Sequence, residues 1–356
     1  MSDSIIVSAD GLLSVKATDV TNVCLTPSSY ALLQYLLLFD NTMVAERTCY
    51  FLGYGVPRSI SGHLPAVHIS TLLSAKRWSP RRWIDKLQLR FVYPRRYPFL
   101  RTAKLYAFDQ GFVGPLIGRH EYSLLSDAPL CMTQNMQLES AEYQRQKRKH
   151  TSFSGRLEQL LFGQVATHTM GNNPQCIQFF MTEPNESPVF GSRPVHVQSL
   201  KSLWEQSSEE KRSLVRRVFD VSDEDLALVS SRRVMFLTQP LIQDCGLTEE
   251  EYLEILHRVF SHYDHSQLLL KLHPRDCFDY CRHFPQVAVF DKSVNMQLLV
   301  LLGTSVERAV TVCSSSVGSF PESVPVDWFG PEIHPKLRAF FGSTMRPDRP
   351  YNQMQV

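Results

Sequence analysis

Short runs of β-branched and aromatic residues alternate along this chain with longer stretches of helical periodicity, and the alternation occurs twice. In the N-terminal half, residues 19–25 read as a strand, Thr26-Pro27-Ser28 supplies a helix N-cap region, and residues 30–39 form an apolar helix. Residues 47–54, 103–108 and 122–125 are further strands, each followed by Gly, Pro or Asp at the turn. Strands spaced by helices in this way predict a parallel α/β sheet. Residues 197–231 then turn polar and helix-prone, with no strand signal. After them the alternation resumes, with strands at 234–238, 267–272, 287–290 and 309–313 and helices at 249–263 and 294–302.

This pattern predicts an N-terminal Rossmann-like domain (1–200), a helical linker (201–231) and a C-terminal Rossmann-like domain (232–356). A chain of 356 residues exceeds what one hydrophobic core usually serves, so length and pattern agree. Two doubly wound domains in tandem are expected to face each other across a cleft at the carboxyl ends of both sheets, where open α/β folds bind ligands. Chemistry is therefore sought just after strands.

Composition narrows the function classes. The chain is 43% hydrophobic and 20% charged, a globular profile, and its net charge of +2 supports nucleic-acid binding only if the cations concentrate on one face. Eight scattered cysteines fit reduced, buried thiols better than a disulfide framework, which points to the cytoplasm. The first ten residues lack the features of a signal peptide, and no window approaches the roughly 18 apolar residues of a membrane span.

Three strand ends carry candidate chemistry. Lys271-Leu272-His273-Pro274-Arg275-Asp276 places a histidine beside a backbone-restricting proline, with two cations that suit an anionic leaving group such as a nucleotide phosphate. The same spacing is equally met by a surface histidine at a helix start. Ser314-Ser315-Ser316, after the strand at 309–313, offers hydroxyls and helix N-terminal amides to a phosphate, although a serine run is often only an N-cap. Thr238-Gln239-Pro240 is either a further set of phosphate or ribose contacts or a plain strand exit.

Together, the strand with Thr238-Gln239-Pro240, the Lys271 to Arg275 motif and the serines after the last strand resemble the motif set of the bacterial lipooligosaccharide sialyltransferase family. Val23-Cys24-Leu25-Thr26-Pro27 is similar to that family's opening strand and loop. The resemblance implies a GT-B-like fold of two Rossmann-like domains. It also implies transfer of sialic acid, with inversion, from the nucleotide-sugar donor CMP-sialic acid to a terminal sugar of a glycan or glycolipid, with no cofactor and no metal. Relatives that transfer other sugars leave the donor open, and a noncatalytic carbohydrate- or membrane-binding protein on the same fold is the competing reading.

The family carries an acidic pair followed by glycine, one carboxylate acting as base on the acceptor hydroxyl. Here two imperfect sites stand in its place. Asp109-Gln110-Gly111 keeps the glycine, and Ser126-Asp127-Ala128-Pro129 follows the better strand and has its turn fixed by proline. Asp127 is the favoured base and Asp109 the second choice; either would serve equally as a turn cap.

Weaker features remain. Cys277, Cys281 and His283 have a helix-like spacing that fits a metal site less well than core cysteines. His257, His262 and His265 read as solvated. No P-loop and no complete G-x-G-x-x-G occurs. Between Lys76 and Arg101, nine cations are interleaved with aromatics, among them Arg77, Trp78, Arg81, Arg82, Trp83, Lys86, Phe91, Arg95 and Arg96, with Asp85 the lone acid. That mixture suits an anionic inner-membrane surface or a lipid-linked phosphorylated glycan, and a solvated basic helix face is the alternative. Nucleic acid is not expected as a partner, since no nucleic-acid fold accompanies the stretch. A homodimer is compatible with the sequence, and Arg145 to Lys149 reads as a basic loop.

Overall fold

The computed structural model describes residues 5–69, 80–109, 113–129, 131, 152–162, 170–342, 346–347 and 349–354. The chain divides into two compact units, Met1–Asp220 and Val221–Val356.

In the first unit an antiparallel hairpin, β1 (Ile5–Val7) with β2 (Ser14–Lys16), precedes a seven-stranded sheet. The sheet contains β3 (Asn22–Ser28), β4 (Thr48–Gly55), β5 (Ala66–His68), β6 (Lys104–Ala107), β7 (Tyr122–Leu125), β8 (Cys176–Met181) and β9 (Val195–Val197). All pair in parallel, in the order β5-β4-β3-β6-β7-β8-β9. Central β3 is buried along nearly its whole length, as a strand covered on both faces must be. The helix Ser29–Leu38 buries eight of its ten residues, because one side lies on the sheet and the helices Leu200–Gln206 and Glu209–Val218 cover another. Pro27 has no N–H to give the ladder, and the β3–β4 register shifts there. Gly55 is obligatory beside it, since a Cβ would lie 2.1 Å from the Pro27 carbonyl oxygen.

The second unit holds six parallel strands, β10 (Val234–Leu237), β11 (Leu268–Lys271), β12 (Ala288–Phe290), β13 (Arg308–Thr311), β14 (Val326–Trp328) and β15 (Asn352–Gln353). Their order is β12-β11-β10-β13-β14-β15. The helix Glu249–Phe260 opens with a capping box between Thr248 and Glu251, then buries Tyr252, Ile255, Leu256, Val259 and Phe260 on one stripe. Each such side chain contributes about 1.5–3 kcal/mol when fully buried. Together they meet Phe236, Leu268, Leu270 and Trp328 in the core.

Both sheets step outward for three strands and then continue from the other side of the first, the doubly wound order whose ligand crevice lies where the direction switches. That switch falls between β3 and β6 in one unit and between β10 and β13 in the other. The α/β, twice Rossmann-like architecture expected from the hydrophobic pattern is therefore present. Strands β5, β8, β9, β14 and β15 and the leading hairpin were not expected; most are three residues or fewer, too short for a period to register. Of the stretch 201–231, the helices up to Val218 belong to the first unit and the helix Asp223–Ser230 to the second. Asp220, left-handed at φ 52°, closes the first unit.

Candidate functional site

In the second unit the loops after β10, β11 and β13 are tied together around the central strand. The Thr238 hydroxyl accepts from the backbone N–H of His273 at 2.9 Å and donates to Asp276. On the other side, Gln239 Nε2 donates to the carbonyl of Cys313 at 2.9 Å, across the switch point. The Oε1 atom of Gln239 is buried without a protein partner. Thr238 is only 3% exposed, so losing its hydroxyl would strand buried polar groups at about 1–3 kcal/mol.

His273 is half-buried, and its Nδ1 accepts from the N–H of Arg275 at 3.1 Å. That contact fixes the tautomer: in the neutral ring the proton sits on Nε2. Burial, aided by Arg275 and Lys271, pushes the imidazole down to about 4. At neutral pH it is an uncharged hydrogen-bond donor rather than an imidazolium. Pro274 is exposed in the turn, which a bond from the Asp276 N–H to the His273 carbonyl closes at 2.9 Å.

The two cations of this motif have other uses. Lys271 is 7% exposed, donates to the carbonyls of Leu272 and Lys292 at 3.0 Å each, and lies over the Phe290 ring. Burial lowers its ammonium to about 8. Arg275 forms a bidentate pair with Asp244, both bonds 2.8 Å. The serines divide similarly. Ser314 is buried, its N–H bound by Thr311 and its Oγ accepting from the N–H of Ser316, whereas Ser315 and Ser316 are exposed.

In the first unit a second cluster sits at the ends of β3, β7 and β8. Ser28 caps the helix Ser29–Leu38, accepting from the N–H groups of Tyr30 and Ala31, and its hydroxyl donates to Asp127. Asp127 is half-buried, and burial raises its carboxyl above the ordinary range despite the Ser28 bond. Tyr30 hydrogen-bonds Thr182 at 2.7 Å. Gln34 and Ser126 both reach the carbonyl of Phe180, at 3.0 Å each, and Gln34 accepts from the Ser126 N–H at 2.8 Å. The Asp127 loop is thus fixed from two neighbouring elements. Thr26 turns its hydroxyl back onto Ser28 and is fully buried, as Pro27 is, so both shape the loop.

Asp109 is held differently. It is 4% exposed, accepts from the Tyr122 hydroxyl at 2.5 Å and the Gly171 N–H at 2.9 Å on one oxygen, and leaves the other buried without a partner. Burial pushes its carboxyl up to about 6. Arg193 braces the adjoining loop through the carbonyls of Gly171, Asn173 and Cys176.

The motifs at 238–239, 273–276 and 314–316 meet in one place, and Asp127 stands in its own cluster with Ser28. Sequence reasoning gave no functional role to Asp276, Tyr30, Thr182 or Arg349. The last donates to the carbonyls of Val317, Phe320, Pro321 and Val324 and so clamps the chain that follows the serines. No short motif marks it. Cys277 and Cys281 are exposed, not core as expected, because Tyr280 and Phe284 take the buried positions of that turn. Among the described residues no three His, Cys, Asp or Glu side chains converge as a metal site requires. Gly111, Lys76, Arg77, Trp78 and the run Arg145 to Lys149 lie outside the described residues, as do the side chains of Arg81 and Arg82.

The chain is similar to several known proteins. An uncharacterized protein of Haemophilus influenzae is 32% identical over 166 residues, 47% of this chain and 54% of that protein, so the chain spans about half the length of this relative. Two solved structures share the fold. The 2,6-sialyltransferase of Photobacterium sp. JT-ISH-224, solved with CMP and lactose, superposes with a TM-score of 0.52 at 9% identity, covering 86% of this chain and 71% of that one. The GT-B domain of the Photobacterium damselae sialyltransferase gives 0.51 at 12% identity, over 86% and 91%. Glycosyltransferase family 52 matches residues 116–336, a span that holds Asp127 and all three strand-end motifs of the second unit. By that match, over more than half its length, the chain belongs to glycosyltransferase family 52.

Proposed function

We propose that this protein transfers sialic acid, with inversion, from CMP-sialic acid to a terminal galactoside of a lipooligosaccharide, lipopolysaccharide or capsular glycan, without a metal ion. The observation that carries the reading is His273, whose Nδ1 is occupied by a backbone N–H and whose Nε2–H is left to donate beside the Thr238 loop. In the reaction Asp127 takes the proton from the acceptor hydroxyl, whose oxygen forms the new bond to the anomeric carbon. The bond from that carbon to the CMP phosphate oxygen breaks, and the electron pair leaves with the phosphate. Neutral donors are enough for it: Nε2–H of His273 and the hydroxyls of Ser315 and Ser316 bind the charge that develops there. Arg275 adds a cation if it releases Asp244.

CMP release from CMP-sialic acid with a galactoside acceptor tests the proposal. Release that depends on the acceptor and persists in EDTA is expected. CMP binding without release would point to another transferred sugar, and no CMP binding at all to a noncatalytic relative.

Arg349 provides a second test. Because it holds four carbonyls after the serine loop, Arg349→Ala should raise the Kd for CMP by about tenfold, or about 1.4 kcal/mol, through a less fixed loop. Titration calorimetry reads this directly. An unchanged Kd would separate the clamp from donor binding.

A further inference from the structure

Asp276 holds both backbone groups of His273. Its own N–H donates to the His273 carbonyl at 2.9 Å, and its carboxylate accepts from the Thr238 hydroxyl, whose oxygen takes the His273 N–H at 2.9 Å. The same carboxylate accepts from the Phe278 N–H on Oδ1 at 3.2 Å and from the Tyr280 hydroxyl on Oδ2 at 2.7 Å. Behind it, the hydroxyls of Tyr280 and Tyr252 lie 2.6 Å apart, on side chains 2% and 1% exposed. Because Tyr280 gives its proton to Asp276, it can only accept from Tyr252, so the proton order of the whole chain is set. Every donor points toward Asp276, and the helix Glu249–Phe260, which carries Tyr252, roots the chain in the core of the second unit.

A turn of this kind does not require such a residue. The bond from the Asp276 N–H closes it whatever side chain is attached, and burial makes the carboxylate costly, raising it above the ordinary range against the bonds from Tyr280 and Thr238. What the carboxylate adds is direction. It commits the Thr238 proton, which leaves a lone pair of that oxygen for the His273 N–H, and so holds the residue that carries the ring from both sides. The 3.1 Å bond from the Arg275 N–H to Nδ1 is made inside that turn and depends on its shape.

We infer that Asp276 is a positioning residue, which acts through Thr238 and the turn to hold His273 as the Nε2–H tautomer with that proton free for the departing phosphate. The inference rests on the proposed transfer, in which His273 is the donor, but the tautomer can be read without any turnover. Proton–nitrogen correlation spectra of the full chain carrying isotopically labelled histidine report it, with the His273 signals assigned by their loss in His273→Ala. The wild type at neutral pH should show a single neutral ring protonated on Nε2. Asp276→Asn keeps the shape and the backbone N–H but sets an NH2 group against a donor, and Thr238→Val removes the link itself. Both should give mixed tautomers and lower kcat by about tenfold, with the KM for the acceptor unchanged. Melting temperatures check that each variant is folded. An unaltered tautomer in a folded variant overturns the inference even if kcat falls, since that loss would come from stability alone. Mixed tautomers with normal kcat, or a wild-type ring protonated on Nδ1, overturn it as well. If the wild type releases no CMP, the transfer reading fails by itself, and the spectra still decide whether Asp276 sets the ring.

Discussion

Asp127→Asn should lower turnover by about 10²- to 10⁴-fold while leaving CMP binding unchanged, because the amide keeps the shape of the carboxylate but cannot take a proton. The loss should appear in kcat, measured by CMP release at saturating donor and acceptor, and not in calorimetric titration with CMP. A pH profile sharpens the test. Burial raises the Asp127 carboxyl above the ordinary range, so kcat/KM should fall on acidification at a higher pH than an ordinary carboxylate would give. Asp109→Asn should be far milder in kcat, since Asp109 is buried and already bound by the Tyr122 hydroxyl and the Gly171 N–H. Its mark is on stability. The folded carboxyl holds its proton to about pH 6 and the unfolded one releases it near 4, so the wild type loses stability as pH rises through that window and the Asn variant lacks this component. If Asp109→Asn abolished turnover and Asp127→Asn did not, the base assignment would be reversed.

His273→Ala should reduce kcat by about 100-fold with the fold intact. The tie between β10 and β11 runs from the Thr238 hydroxyl to the backbone N–H of His273, so removing the ring leaves it standing. The free enzyme's imidazole is neutral above about pH 4, and kcat/KM should therefore carry no basic limb from His273 through neutrality. A limb near the ordinary histidine value that disappears in the Ala variant would make the imidazolium the donor instead. Normal turnover in the variant would remove His273 from the chemistry.

How much of this was legible beforehand differs by element. Buried strands announce themselves by their apolar centres: Val23-Cys24-Leu25 and Leu268-Leu269-Leu270 are uninterrupted apolar runs, because a parallel strand covered on both faces buries consecutive side chains. The strand-end motifs could be read for the same reason, since a doubly wound fold places its ligand groups after strands. The pattern of apolar and polar positions thus carries the α/β class, the two Rossmann-like halves and the positions at which polar groups gather. What each group does follows from its partners in the fold. Lys271 and Arg275 look alike as phosphate cations, yet one turns inward to two carbonyls and the other pairs with Asp244, 31 residues away along the chain. Asp109 and Asp127 both end strands, and they part because one is closed over by a loop at Gly171 while the other stays half-open beside the Ser28 cap. Desolvation and long-range hydrogen bonding set those roles, and both depend on residues brought close by folding, which no local spacing records.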